Sequence, residues 1–332
     1  MVISMSDNYN ISYKTEERTA LVLSGGGARG AFQAGVLQVL REQGFTYDVI
    51  SGISVGSLNG TMMATNQFHR MMKIWEHLTP KQVYRKKTLA GLARRYLQYK
   101  IGIGKPPVSQ YDNGPLHALM RTHFLGKTTS VPFTFGYVTL ETGRYVRATI
   151  PGEESRTITE EDIRRILAST AIPAVFNPVP IGDHLCVDGG LRDISPIREV
   201  LPYHPHRAII IPTRPVSDTN HRVESRDIID IGFRAIHIML DEIFYEDIAR
   251  FLTINHLVRQ ASEEGVELLH RTGRPYQQVH PLIIAPKDPL GDAMDFSNAH
   301  IRRMMQTGRD RAREVLSMEP FPKPMVWFRE TM

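Results

Sequence analysis

The chain has a single cysteine, Cys186, which leaves no partner for an internal disulfide. Its place beside Val187 and Asp188 marks a small packing residue rather than a reactive thiol. Apolar runs of about 18 residues, the length needed to cross a bilayer, are missing, and residues 1–18 lack the apolar centre of a secretory signal. The expectation is a cytoplasmic protein whose only membrane contact is peripheral. No dense acidic loop offers a calcium site, and neither a metal nor an organic cofactor is expected. Internal repeats and low-complexity segments are absent. The net charge of +5 is too small to imply nucleic acid as a partner.

One further absence is local. Between Glu76 and Asp112 there is no acidic residue, while Lys81, Arg85, Lys86, Lys87, Arg94, Arg95, Lys100 and Lys105 are all basic. Leu89, Leu92, Ala93, Tyr96 and Leu97 recur among them at helical spacing. Two readings stay open: a basic amphipathic cap over the 76–112 region that lies on an anionic lipid surface, or a solvated helix covering the edge of the core.

What is present is a large apolar fraction, 42% of 332 residues, enough for a substantial core. The stretches Leu21 to Ser24, Pro132 to Leu140, Gly143 to Ile150, Ala208 to Pro212 and Leu282 to Ala285 read as strands among helical segments. That alternation predicts an α/β fold, a three-layer α/β/α domain around a mostly parallel sheet, extended by C-terminal helices. The boundaries expected are a flexible segment over 1–18, a catalytic domain over 19–316 and a tail over 317–332. Thr159 and Asp162 form a capping box ahead of Ile163, Ile166 and Leu167. Asp227 to Gln260 reads as a long amphipathic helix whose Ile231, Ala235, Ile238, Met239, Phe244, Ile248, Phe251 and Leu252 form a stripe facing the core. Asn298 to Ser317 closes the fold as a helix capped by Ser297.

Chemistry concentrates near the start. Leu21-Val22-Leu23-Ser24 breaks into Gly25-Gly26-Gly27-Ala28-Arg29-Gly30 before Ala31 to Leu37 begins a helix. Such a turn aims backbone N–H groups at one point, with the positive end of the helix dipole behind them, and so makes a pocket for an anion. Gly52-Ile53-Ser54-Val55-Gly56 follows a short apolar strand and opens a second helix, so Ser54 sits on a sharp elbow that Gly52 and Gly56 allow. Leu185-Cys186-Val187-Asp188-Gly189-Gly190 places an acid after an apolar run and before two glycines. Asp188 can orient or deprotonate Ser54, and the same tripeptide also reads as an ordinary turn.

The order of these three motifs resembles that of the patatin-like phospholipases. The likeness extends to Ala168-Ser169-Thr170-Ala171-Ile172-Pro173-Ala174-Val175-Phe176-Asn177-Pro178 and to Asp295-Phe296-Ser297, and covers roughly Thr19 to Leu316. It implies a Ser54–Asp188 dyad without histidine, an acyl-enzyme on Ser54, an oxyanion held by the Gly25 to Gly30 turn, and a fatty acyl ester of a phospholipid or lysophospholipid as substrate. A hydroxyl is a poor nucleophile until a base takes its proton, and burial beside the serine should raise the Asp188 pKa toward usefulness. One departure stands out: where relatives follow Asp-Gly-Gly with asparagines and proline, this chain has Leu191-Arg192-Asp193-Ile194-Ser195-Pro196, with Asp193 and Ser195 able to cap turns in their place.

Three rivals remain. His204, His206, His237, His256 and His280 all follow Asp188 in the Ser, Asp, His order of other hydrolases, though none has a recognisable catalytic context. The Gly25 to Gly30 turn also satisfies G-x-G-x-x-G, with Asp48 standing where a dinucleotide's ribose would be bound. The third is a non-catalytic lipid-binding or regulatory module on the same fold. The sequence leaves the oligomeric state open.

Overall fold

The structure, a computed structural model, describes residues 18–104, 106, 108–151, 157–216 and 228–318. The expected N-terminal segment up to residue 17, Lys105 and the tail beyond residue 318 lie outside them. Among the described residues the chain runs through β1 (Thr19–Leu23), α1 (Gly30–Glu42), β2 (Val49–Gly52), α2 (Val55–Ala64), α3 (Phe68–His77), α4 (Pro80–Val83), β3 (Arg85–Lys86), α5 (Leu89–Lys100), β4 (Tyr111–Asp112) and α6 (Gly114–Phe124). It continues through β5 (Phe133–Thr139), β6 (Tyr145–Ile150), α7 (Glu160–Ser169), β7 (Val179–Ile181), β8 (His184–Asp188), β9 (Arg207–Ile211), α8 (Ile228–Glu263), β10 (His280–Ile283) and α9 (Asn298–Ser317).

The main sheet runs β10-β9-β1-β2-β5-β8-β7, with β6 on the other edge of β5. Pairings from β10 through β5 are parallel, and β6, β7 and β8 join antiparallel. Side chains alternate across the strands, so each strand feeds two cores. Leu21, Leu23, Ile209 and Ile211 pack with α1, α2, α3 and α9, whereas Ala20, Val22, Ala208 and Ile210 pack with α8 and the loop at Ile194 and Ile197. This is the mixed α/β architecture that the sequence implies, with its sheet mostly parallel. The five strands expected from sequence all appear, their ends shifted by one or two residues.

The register of β5 positions the site. The first part of one β5 edge pairs with β2, matching Gly52 to Phe135, and the rest of that edge pairs with β8, matching Asp188 to Tyr137. The ends of β2 and β8 therefore meet two residues apart along β5, roughly 7 Å at the usual rise of a strand. Two segments far apart in sequence converge because one strand templates both.

On the opposite face, α1 and α9 touch through backbone. A Cβ on Gly35 would lie 2.0 Å from the Met305 carbonyl oxygen, and one on Gly308 would lie 2.2 Å from that of Phe32. The capping box at Thr159 forms, with the Asp162 amide donating to Thr159 Oγ1 and the Asp162 carboxylate accepting from the Thr159 amide. Ser297 does precede α9, although its hydroxyl caps no helix amide.

The long helix departs from expectation. Phe244, Ile248 and Leu252 of α8 are buried and Phe251 partly so, but Ile231, Ala235, Ile238 and Met239 face outward, Ile238 and Met239 being 53% and 62% exposed. The sheet face beneath α8 ends where Ala208 and Ile210 end, so only the helix from about Leu240 onward has a layer to pack against. The α5 helix also covers no core. It buries none of its described side chains, and Leu97 and Ile101 just beyond it are each 65% exposed.

Candidate active site

Ser54 lies on the turn between β2 and α2 with φ 53°, a region that L-residues rarely occupy and that stores strain. The turn tolerates no bulk: a Cβ on Gly52 would come 2.2 Å from the Gly56 carbonyl oxygen, and one on Gly56 would come 2.1 Å from that of Leu23. The Ser54 amide donates to Ser169 Oγ at 3.2 Å, and the Ser57 hydroxyl donates to the Ser54 carbonyl at 2.6 Å. The elbow is thus fixed from α7 as well as from its own helix.

Asp188 ends β8, is buried and shares a cleft with Ser54, whose side chain favours its charged form. The Gly190 amide donates to Asp188 Oδ1 at 2.7 Å, and the Asp188 amide donates to the Ala171 carbonyl at 2.9 Å. Burial pushes the carboxyl up to about 7, against the opposing effects of the Ser54 side chain and the Gly190 amide. Gly189 lies against β5, where a Cβ would approach the Gly136 carbonyl oxygen to 2.4 Å.

The glycine turn divides its amides. Gly25 N–H donates to Ile194, Ala28 N–H to Ala293 at 2.7 Å, and Arg29 N–H to Gly26, while the Gly30 amide turns back on Ala28 and Gly27. Among the described residues, only Gly26 and Gly27 of the six keep amides without a partner. Of the six amides in the expected cradle, two are taken by the remote carbonyls of Ile194 and Ala293 and two by carbonyls of the turn itself, which leaves Gly26 and Gly27 as the donors available to an anion. Gly27 has φ 59°, and a Cβ there would sit 2.4 Å from the Ala293 carbonyl oxygen.

Beneath the turn lies a polar relay with no sequence signature. Gln33 Nε2 donates to the carbonyls of Ser24 and Ile211, Asn59 Nδ2 donates to Gln33 Oε1 and the Gly30 carbonyl, and Trp75 Nε1 donates to Asn59 Oδ1. It ties α1, α2 and α3 to the same turn. The loop after Asp188 is held differently from the expected turn caps. Asp193 pairs with Arg198 at 3.2 Å, and the Ser195 and Ser24 hydroxyls share a 2.6 Å bond.

Two cavities meet at Ser54. One is almost wholly apolar and extends from Ser54 and Val55 to Met71, Leu116, Met120 and Phe124. The other is a more polar cleft that holds Asp188, Gly190, Arg29 and Arg214. They share Gly27, Ser54, Ile172 and Met294.

The rival readings fare poorly. His204 bonds Gln277, His206 and His280 pack at a tilt with ring centroids 4.7 Å apart, and His256 contacts Arg259, while the side chain of His237 lies outside the described residues. Asp48 spends its carboxylate on the Thr19 amide at the start of β2, the opposite end of the sheet from the glycine turn, so it cannot serve a dinucleotide bound there. Cys186 is buried and its thiol is pushed up to about 11 by burial, as a packing residue should be. Among the described residues no group of three metal-ligating side chains occurs.

The glycine-rich turn and the strained serine elbow thus stand side by side at the ends of the parallel strands β1 and β2. A sequence profile described as "Patatin-like phospholipase" matches residues 21–201, more than half of the chain, and the chain belongs to that family. It is 27% identical over 218 residues to Lysophospholipase NTE1 of Cryptococcus neoformans, an alignment that covers 62% of this chain and 12% of the relative. It is 42% identical over 60 residues to Patatin-like phospholipase domain-containing protein 7 of Rattus norvegicus, covering 18% and 4% of the two chains. The chain thus matches only a small part of the length of these relatives. Among solved structures, VipD from Legionella pneumophila is similar over 90% of this chain and 66% of its own, with TM-score 0.48 and 14% identity. The type III effector protein ExoU matches over 90% and 52%, with TM-score 0.37 and 13% identity.

Proposed function

We propose that the protein cleaves fatty acyl esters of phospholipids or lysophospholipids through an acyl-enzyme on Ser54, with Asp188 as the base. The observation that carries this reading is the position of Ser54 at the junction of an apolar cavity and a polar cleft. An acyl chain lying in the first puts its ester carbonyl at Ser54 and its head group in the second. Asp188 takes the Ser54 proton as Oγ attacks the carbonyl carbon, and the Gly26 and Gly27 amides receive the oxyanion. Collapse of the tetrahedral intermediate expels the alcohol, which Asp188 protonates. Water then attacks the acyl-enzyme with the same carboxylate as base, releasing the fatty acid and restoring Ser54. A carboxyl near pH 7 suits both the proton taken and the proton returned.

The exposed faces of α5 and of the first turns of α8 are the elements we assign to peripheral contact with lipid. In α5 and the segment before it, Arg94, Arg95, Lys100, Lys81 and Lys86 are exposed alongside Tyr96 and Leu97. Lys87 is excluded from this set, since its ammonium is turned inward onto Ser109 and Asn177. Among the described residues no helix is long and apolar enough to cross a membrane.

The test is hydrolysis of chromogenic acyl esters from short to long chain by the wild type, Ser54→Ala and Asp188→Asn, each checked for intact folding. Loss of about a thousandfold or more in both variants is expected. Turnover persisting in Ser54→Ala overturns the mechanism.

A further inference from the structure

The polar cleft carries a feature that ester cleavage alone does not need. Arg214, three residues beyond β9, is only 7% exposed and lines the cleft that holds Ser54 and Asp188. Its guanidinium lies over the Phe244 ring, 5.6 Å from the centroid, and one terminal nitrogen is paired with Asp241. Its Nε is buried with no hydrogen-bond partner. Arg29 lines the same cleft, fixed through its own Nε to the Gly291 carbonyl at 2.9 Å.

The two cations line one cleft, and burial, with the charge of Arg214 adding to it, lowers Arg29 to about 10. The acids facing them are Asp241 and Asp292. Asp241 is partly exposed on α8, and Asp292 accepts the Met294 amide at 2.9 Å through Oδ1. Tyr245 is the remaining titratable group near Arg214. A buried guanidinium with an unused N–H beside a second cation is costly unless a ligand supplies the acceptor. The planar fork of arginine matches the oxygens of a phosphate.

We propose that Arg214, with Arg29 in the same cleft, forms an anion subsite that takes the phosphate of the substrate head group, making the protein selective for phosphate-bearing acyl esters over neutral ones. This rests on the acyl hydrolase reading above. In a lysophospholipid the glycerol alone separates the ester from the phosphate, so an acyl chain in the apolar cavity delivers the phosphate into the cleft. Arg214 is a specificity residue that touches the head group and takes no part in proton transfer.

The experiment compares kcat/KM for a short-chain lysophosphatidylcholine and a monoacylglycerol of equal chain length, both kept monomeric, in the wild type, Arg214→Gln, Arg214→Lys and Asp241→Asn. The wild type favours the lysophospholipid. In Arg214→Gln the loss on the lysophospholipid exceeds that on the monoacylglycerol by about 10- to 100-fold, the range expected for a hydrogen bond to a charged group. Arg214→Lys recovers part of the selectivity, and Asp241→Asn, which removes a competing carboxylate, keeps or raises it. A second readout needs no turnover: glycerophosphocholine raises the melting temperature of the Ser54→Ala protein, and adding Arg214→Gln abolishes that shift.

Equal losses on both esters in Arg214→Gln, or an Asp241→Asn variant that copies it, overturn the inference and reduce Arg214 to a clamp on α8, while leaving the hydrolase reading intact. A wild type that turns over neither ester overturns the hydrolase reading instead. The thermal shift then decides the anion subsite separately, its absence counting against it.

Discussion

The Gly190 amide holds Asp188 Oδ1 at 2.7 Å, which fixes the rotation of a buried carboxyl group whose other neighbour is the Ser54 side chain. This contact lowers the Asp188 pKa, but burial outweighs it and leaves the group near 7. The carboxyl therefore changes charge near neutral pH.

Activity should rise with pH through about 7, since only the ionised carboxylate accepts the Ser54 proton. Stability should move the other way. A carboxyl raised from 3.8 to about 7 on folding contributes stability that is present below the unfolded value and is lost as pH rises through the folded one. Asp188→Asn should thus melt higher than the wild type at pH 8, with the difference closing toward pH 4. Melting curves across that range check the sign, and a wild type that is the more stable at pH 8 contradicts it.

Gly27→Ala should cost both stability and rate. The new Cβ meets the Ala293 carbonyl oxygen at 2.4 Å, and alanine resists the positive φ, a strain of about 1–3 kcal/mol. The melting temperature should fall by several degrees. Ester turnover should drop by more than about a hundredfold if the Gly26 and Gly27 amides hold the oxyanion. A drop in stability with turnover intact separates the two effects and removes Gly27 from the site.

Acyl length should be set by α6. Met120 is buried and lines the apolar cavity, so Met120→Trp fills part of its volume. The chain-length optimum should shift several carbons shorter, with the long-to-short ratio of kcat/KM falling tenfold or more. An unchanged profile would falsify the placement of the acyl chain in this cavity.

Lipid surfaces provide the last test. With roughly 1 kcal/mol per basic residue near an anionic bilayer, Arg94→Gln with Arg95→Gln should weaken binding to vesicles containing phosphatidylserine by about 10- to 30-fold. High salt should bring wild type and variant together. Equal binding by both proteins at low salt would remove α5 from the lipid contact.

Local signals were legible wherever a motif needs a special backbone. Gly52, Ser54 and Gly56 announce an elbow because few other residues survive its contacts, and Thr159 with Asp162 announces a helix start. What the sequence could not carry depends on distant partners. Nothing in Gly25 to Gly30 tells which amides Ile194 and Ala293 will consume. Arg214 follows a strand without any motif, and its meaning comes from Arg29 and Asp241. The apolar stripe of α8 reads the same whether or not a sheet lies beneath it, which is why Ile238 and Met239 passed for core. The short β7 was also missed, since three residues with a central proline resemble a loop until β8 pairs with them.

The Ala293 carbonyl that shapes the glycine turn comes just ahead of α9, the helix whose backbone abuts α1. The first motif of the chain is therefore closed by one of the last segments to follow it: a chain cut before Ala293 would keep Ser54 and Asp188 but lose the acceptor of the Ala28 amide.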